Sequence, residues 1–320
     1  MILKPYKNNP ILKPNQDNWW ESKAVFNCGV ACANGMFHML YRAIGEHESY
    51  ISRLGYATSR DGITFERKKE PIFKPKEEYE KWGCEDPRIT PLNDKFYMTY
   101  VTLSNSALNV NCSPRTALAS TEDFIGFERH GLITPENISD KDVVFFPEKI
   151  GGRYVMLHRP SGDQGTMFET KRPSIWIAYS KDLKEWKDHK LIMKPEQRWE
   201  MDRIGAGPPP IRLKDGWLLI YHGVESIGKN ISIYDGKLSV VKRIYRAGAV
   251  ILDLDDPSKV IARTEKPILQ PEKKYEKEGD VPNTVFPSGA VIFKEKLYVY
   301  YGGADTCINL AFADTNSLSL

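Results

Sequence analysis

Apolar residues in this chain come in short runs, rich in aromatic and β-branched side chains and cut off by Asp, Asn, Gly or Pro, while a helical period is weak throughout. Such runs predict strands joined by tight turns. Four of them are Lys95-Phe96-Tyr97-Met98-Thr99-Tyr100, Arg153-Tyr154-Val155-Met156-Leu157-His158, Gly216-Trp217-Leu218-Leu219-Ile220-Tyr221-His222 and Leu297-Tyr298-Val299-Tyr300-Tyr301. Each follows a shorter proline-marked stretch: Asp86-Pro87-Arg88-Ile89, Phe146-Pro147-Glu148-Lys149-Ile150, Pro208-Pro209-Pro210-Ile211 and Phe286-Pro287-Ser288-Gly289-Ala290. Phe26-Asn27-Cys28-Gly29-Val30 before Met36–Arg42 is a fifth, proline-free copy. A short strand, a polar turn and an aromatic strand make a hairpin. Only Glu77–Lys81 reads as a helical turn.

Two further elements recur. Ala57–Phe65, Ala119–Phe127 and Ala178–Trp186 each run from a small-residue strand end through an Asp turn to an aromatic, with Asp61, Asp123 and Asp182 about sixty residues apart. Pro10-Ile11-Leu12-Lys13-Pro14, Pro71-Ile72-Phe73-Lys74-Pro75, Leu191-Ile192-Met193-Lys194-Pro195 and Pro267-Ile268-Leu269-Gln270-Pro271 belong on outer edges or connections, because proline breaks a ladder. Five hairpins with a fixed period predict an all-β, five-bladed β-propeller over residues 1–320 as one domain. A two-sheet sandwich is the competing fold, and it predicts no such period.

In a propeller the inner strands line a channel, so equivalent positions of the repeats converge on one mouth. Those positions are read as Asn27, Glu85/Asp86, the Phe146–Glu148 turn, Gly205–Pro208 and Asn283–Phe286. The partner strands end on Arg42, Tyr100, His158-Arg159, Tyr221-His222, and Tyr301 followed by Asp305. In Gly83-Cys84-Glu85-Asp86-Pro87-Arg88, a carboxylate before a rigid proline is a candidate proton donor, although neighbouring acids and bases commonly form plain ion pairs. Arg42, Arg60, Lys141, Arg159, Arg203 and His222 would gather positive charge, and phosphate is the small anion best matched to guanidinium forks. His158 and His222 read equally well as core histidines.

Composition narrows the field. A chain of 320 residues with 41% hydrophobic and 27% charged residues is globular, and 45 basic against 42 acidic residues, with no basic stripe, gives no reason to expect nucleic acid. The N-terminal stretch lacks a signal-peptide core and no segment is apolar enough for a bilayer, so no membrane is expected and a cytoplasmic location is the default. The five cysteines, 28, 32, 84, 112 and 307, are odd in number and scattered. Cys28 and Cys32 have the spacing of one helix face, but nothing completes a metal site, and reduced buried thiols are expected.

These residues, in this order, resemble glycoside hydrolase family 130, the inverting β-mannoside phosphorylases. The resemblance rests on Phe26-Asn27…Tyr41-Arg42, Ser59-Arg60-Asp61-Gly62, Glu85-Asp86-Pro87-Arg88, Phe146-Pro147-Glu148-Lys149 with Leu157-His158-Arg159-Pro160, Gly205–Pro210 with Tyr221-His222-Gly223-Val224, and Tyr301-Gly302-Gly303-Ala304-Asp305. It implies a five-bladed propeller in which Asp86 is the general acid, its proton reaching the glycosidic oxygen through the mannosyl O3 hydroxyl. Inorganic phosphate then attacks the opposite face of the anomeric carbon, giving α-mannose 1-phosphate and a free acceptor sugar. An inverting hydrolase would need a second carboxylate roughly 6.5–9.5 Å away to activate water.

The resemblance further assigns Lys141, Arg159, Arg203 and His222 to phosphate, Asn27, Arg42, Arg60, Glu85 and Asp305 to the sugar, and Asn283 to the acceptor side. Phosphate is a co-substrate, and no metal or organic cofactor is implied. Two departures stand out. Arg203 replaces a common lysine and keeps its charge, whereas Asp142 stands where Asn is frequent and would weaken anion binding unless paired or turned away. The substrates implied are β-1,2-mannobiose or oligomannan, or β-1,4-mannosyl-N-acetylglucosamine or -glucose. Acceptor choice would rest on loops such as Ser104–Pro114 and Gly162–Arg172. The competing readings are a hydrolytic β-mannosidase of the same fold, a non-catalytic sugar-binding propeller, and a glycosidase using Glu148 as second carboxylate. Trp19-Trp20 and the outer strand edges would supply an interface for a homo-oligomer.

Overall fold

The computed structural model describes residues 1–106, 113–227 and 242–318; Cys112 and part of the Ser104–Pro114 loop lie outside them. The strands form five antiparallel sheets arranged as the blades of a propeller. Blade 1 comprises Ala24–Ala33, Met36–Ile44, Arg53–Ser59 and Glu66–Arg67, and blade 2 comprises Cys84–Leu92, Lys95–Thr102, Arg115–Thr121 and Glu128–Leu132. Blade 3 is Asp140–Phe145, Tyr154–Pro160, Ile175–Ser180 and Lys187–Met193. Blade 4 is Arg203–Ala206, Trp217–Ile227, Lys242–Leu252 and Val260–Arg263, with Ile211–Arg212 continuing its inner strand beyond the proline triplet. Blade 5 is Val285–Phe293, Lys296–Gly303 and Cys307–Asp314, completed by Lys4–Pro5 from the start of the chain.

That last pairing closes the ring. Lys4 lies opposite Phe312 and Pro5 opposite Ala311, and Leu12 bridges Ile308. Hydrogen bonds between the first and last segments of the chain thus replace a covalent link between blades 5 and 1, a feature the repeat pattern does not reveal.

The runs are apolar on both faces because each middle strand is covered by a blade on either side. In blade 4, Trp217, Leu219 and Tyr221 pack with Val144, Leu157 and Ile177 of blade 3, while the alternating Leu218 and Ile220 pack with Val285, Leu297 and Val299 of blade 5. Similar clusters fill the remaining three junctions, so the core is divided among five interfaces. The Asp turns form as read: the Oδ1 atoms of Asp61, Asp123 and Asp182 each accept two backbone N–H groups at 2.8–3.0 Å. The proline-flanked segments are mostly connections carrying single bridges, such as Leu54 with Phe73 and Ala247 with Leu269. Glu78–Glu80 is one 3₁₀ turn. Cys28 and Cys32 lie on a strand and not on a helix.

A second repeat is polar and buried. Tyr41, Tyr100, Tyr221 and Tyr301 donate their hydroxyls to Glu21, Glu80, Glu200 and Glu276. In three blades an arginine of the outermost strand completes the group: Arg67 with Glu21, Arg129 with Glu80 and Arg263 with Glu200. In blade 3 the place is taken by His158, whose Nδ1 sits 2.7 Å from Asp140 Oδ2. Each group ties the turn entering a blade to that blade's second strand, with the buried carboxylate satisfied on several sides.

Candidate active site

The residue after each Tyr or His of that ring is Arg42, Val101, Arg159, His222 or Gly302. These residues stand beside the inner strands, which are locally irregular. The pairing register shifts between Phe26 and Cys28, between Glu85 and Arg88, and between Lys141 and Val144. One residue inside each of these three bulges has positive φ: Asn27 at 45°, Asp86 at 49° and Asp142 at 56°. Asn and Asp tolerate this conformation better than other side chains, because a short polar group can bond locally. The bulge re-aims one side chain per blade, and all three line one cavity.

That cavity, of about 180 Å³, is lined by Asn27 and Arg42 of blade 1, Asp86 of blade 2, Lys141, Asp142 and Arg159 of blade 3, Arg203, His222 and Tyr245 of blade 4, and Val281, Thr284, Phe286 and Asp305 at blade 5. Its charges are sorted. On the side of blades 1 and 2, Arg42 contacts Glu85 at 2.5 Å and Asp86 at 3.3 Å, and its Nε donates to Ser52 Oγ at 2.9 Å. Ser52 in turn donates to Glu85 at 2.9 Å. Asn27 Nδ2 donates to Asp86 Oδ1 at 3.0 Å, so Oδ1 takes both described donors and leaves Oδ2 for a ligand. Arg88 is buried below, donating to the Asp86 carbonyl at 3.0 Å and, across the ring, to the Gly207 carbonyl at 2.6 Å.

The blade 3 and 4 side is cationic. Lys141 has no side-chain partner among the described residues, Arg203 contacts Asp202 at 3.2 Å, and Arg159 Nε donates to Asp142 Oδ2 at 2.6 Å. Burial opposes the charged form of Asp142, but Arg159, His222 and Arg88 together outweigh it and hold the carboxyl well below the usual carboxylate range. Burial pushes the His222 imidazole down to about 3, and Arg159, Arg88 and Arg203 add to the effect against Asp142, so the ring is neutral. Asp305 is pushed up to about 7 by burial, with Arg42 opposing and Asp86 and Asp280 reinforcing. Asn27 Oδ1, Arg203 Nε, His222 Nδ1 and Thr284 Oγ1 are buried without a hydrogen-bond partner among the described residues, the opposite of what a closed polar core shows.

Close approach here demands glycine twice. A Cβ at Gly205 would run into Asp142 Oδ2 and His222, and one at Gly302 would run into Asn27 Oδ1.

The structure gathers Asn27, Arg42, Asp86, Lys141, Arg159, Arg203, His222 and Asp305 at the cavity wall, with Glu85 directly behind Arg42. Asn283 stands beside the lining residue Thr284, its carbonyl accepting the Tyr245 N–H at 3.0 Å. Arg60 does not join them. It is exposed beyond Ser59, which pairs with Phe37, whereas the same sheet reaches the cavity at the other end, where Arg42 pairs with Leu54. The Phe146–Glu148 turn is likewise at the wrong end of its strand, and blade 3 contributes Lys141 and Asp142 instead. Glu148 is partly exposed and paired with Arg212, which excludes it as a second catalytic carboxylate. His158 is a core histidine. Tyr245, Thr284 and Phe286 complete the wall; Phe286 was within reach through its proline turn, but Tyr245 carries no signal in the repeat.

Comparison with known proteins places the chain in a family. The profile of the glycoside hydrolase 130 family, described as β-1,4-mannooligosaccharide phosphorylase, matches residues 6–319. A 1,2-β-oligomannan phosphorylase of Thermoanaerobacter sp. (strain X514) is 44% identical over 99% of this chain and 98% of its own length. A β-1,2-mannobiose phosphorylase of the same organism is 40% identical over 97% of this chain and 96% of its own. The solved structure of the Listeria innocua β-1,2-mannobiose phosphorylase in complex with β-1,2-mannobiose superposes with a TM-score of 0.81 at 28% identity, covering 99% of this chain and 98% of the other. This chain therefore belongs to glycoside hydrolase family 130.

Proposed function

We propose that this protein is an inverting β-mannoside phosphorylase that cleaves β-1,2-linked mannooligosaccharides with inorganic phosphate, releasing α-mannose 1-phosphate. The observation that carries the reading is the division of one cavity into an Asp86 side and a Lys141/Arg159/Arg203 side. Asp86 is the proton donor: its Oδ1 is occupied by Asn27 and Arg42, its backbone is fixed by the bulge and by Pro87, and Oδ2 faces the substrate. The cations hold phosphate against the opposite face of the sugar and stabilise charge as the glycosidic bond breaks. The β-1,2 linkage is preferred over β-1,4 because the relatives at 44% and 40% identity act on β-1,2-mannosides by name.

Hydrolysis lacks support, since a water nucleophile needs a base and Asp142, held ionised and bonded to Arg159, is a poor one. Incubating β-1,2-mannobiose and β-1,2-mannotriose with the enzyme, with and without phosphate, tests the reading. Phosphate-dependent mannose 1-phosphate is expected; free mannose alone, formed equally without phosphate, would refute it.

A further inference from the structure

A carboxylate among cations that bind an anion calls for a reason of its own. Asp142 lines the cavity, its side chain is 3% exposed, and its backbone is fixed in the bulge. Its Oδ2 takes Arg159 Nε at 2.6 Å and lies 3.6 Å from His222 Nε2, while no donor among the described residues reaches Oδ1. Gly205 leaves the space this carboxylate occupies. On the same side, Arg203 Nε and His222 Nδ1 are buried without partners among the described residues, so the place is built for a ligand and not closed by internal bonds.

An ionised carboxylate can only accept hydrogen bonds. Facing an oxyanion, it repels every bare oxygen and attracts only one that carries a proton, with which it forms a short charge-assisted bond. At neutral pH inorganic phosphate carries a proton in each of its common forms, and sulfate carries none. Lys141, Arg159 and Arg203 attract hydrogen phosphate and sulfate alike, both being dianions, so charge alone does not tell them apart and the proton does.

We infer that Asp142 is a specificity-determining residue that reads the proton on the incoming oxyanion, admitting hydrogen phosphate and hydrogen arsenate and rejecting sulfate. The inference rests on the assignment of this side of the cavity to phosphate.

Initial rates of phosphorolysis, with phosphate near its KM and ionic strength held with chloride, are measured against sodium sulfate. Sulfate is expected to compete roughly tenfold to a hundredfold more weakly than phosphate binds, the factor for one charged hydrogen bond, while arsenate competes and supports turnover. In Asp142→Asn the amide can donate to sulfate as well as accept from phosphate, so the ratio of sulfate Ki to phosphate KM is expected to fall by a similar roughly tenfold to hundredfold factor. Sulfate inhibition of the wild type with a Ki equal to the phosphate KM overturns the inference even if the variant does not fold. So does an Asp142→Asn enzyme with unchanged selectivity. Absence of any phosphate-dependent product refutes the phosphorylase assignment itself, which separates the two failures.

Discussion

Asp86 and Asp142 occupy the same bulge position of successive blades, with φ of 49° and 56°, yet they find arginines in different places. Asp86 meets Arg42 of the preceding blade at 3.3 Å, and Asp142 meets Arg159 of its own blade at 2.6 Å. The looser contact across blades leaves Asp86 Oδ2 without a donor among the described residues, while the tighter one within a blade keeps Asp142 ionised. One backbone device has thus been given two different settings.

For Asp86→Asn, turnover is expected to fall by about 10²- to 10⁴-fold, the usual weight of a positioned acid, with a smaller change in substrate KM. Mannose 1-phosphate release is the readout. Near wild-type turnover would remove Asp86 from the proton-donor role.

Arg159→Ala should act on phosphate and not on the sugar. It deletes one cation and leaves the Asp142 charge unpaired beside the anion, so the phosphate KM is expected to rise by roughly tenfold to a hundredfold while the mannoside KM changes little. A matching rise in both constants would place Arg159 outside the phosphate site.

The buried carboxylate groups are structural. Glu80→Gln breaks a buried pair and leaves Arg129 uncompensated, at a cost of about 3–5 kcal/mol. Tyr100→Phe removes one hydrogen bond to the Glu80 carboxylate and costs about 1–3 kcal/mol. Denaturant unfolding separates the two, and equal stabilities would contradict the order.

Asp305 couples stability to pH. Its carboxyl is raised from 3.8 to about 7 in the folded protein, so between those values the folded state binds more protons than the unfolded state. This contribution is fully present at low pH, fades as pH rises through that window, and is gone above it. Asp305→Asn is therefore expected to melt roughly 5–7 °C above the wild type at pH 8, and to match it below pH 4, while losing activity. A constant difference across pH would argue against a titrating Asp305.

Removing residues 1–12 takes away the strand that pairs with Lys296–Gly303's neighbour, Cys307–Asp314, and the Leu12 bridge. A lower melting temperature with loss of activity is expected, and addition of a synthetic peptide of that sequence should restore part of both. A truncated protein of unchanged stability would show that the ring does not depend on this closure.

Much of the architecture was legible because a propeller writes its blades into the sequence one after another. Trp217–Tyr221 and Leu297–Tyr301 announce strands covered on both faces, and Asp61, Asp123 and Asp182 mark turns that form as read. The closing strand Lys4–Pro5 was not legible, since two residues with no repeat partner leave no pattern. Arg60 was misplaced because a motif's position along the chain does not say which end of a strand it lies on. The buried glutamates do carry a signal in the sequence: Tyr79-Glu80, Trp199-Glu200 and Tyr275-Glu276 each end five residues after a proline of the recurring proline-flanked segments. Asp142 looked like a liability in sequence, and only its contact with Arg159 shows how its charge is accommodated.

No blade carries the cavity alone: Arg42, Asp86, Lys141 with Arg159, and Arg203 stand on four successive sheets, and the fifth, completed by Lys4–Pro5, sets Gly302 against Asn27, which holds Asp86 Oδ1. Whatever loosens the seam between the first and last sheets is thereby carried to the Asp86 carboxylate through a single amide side chain.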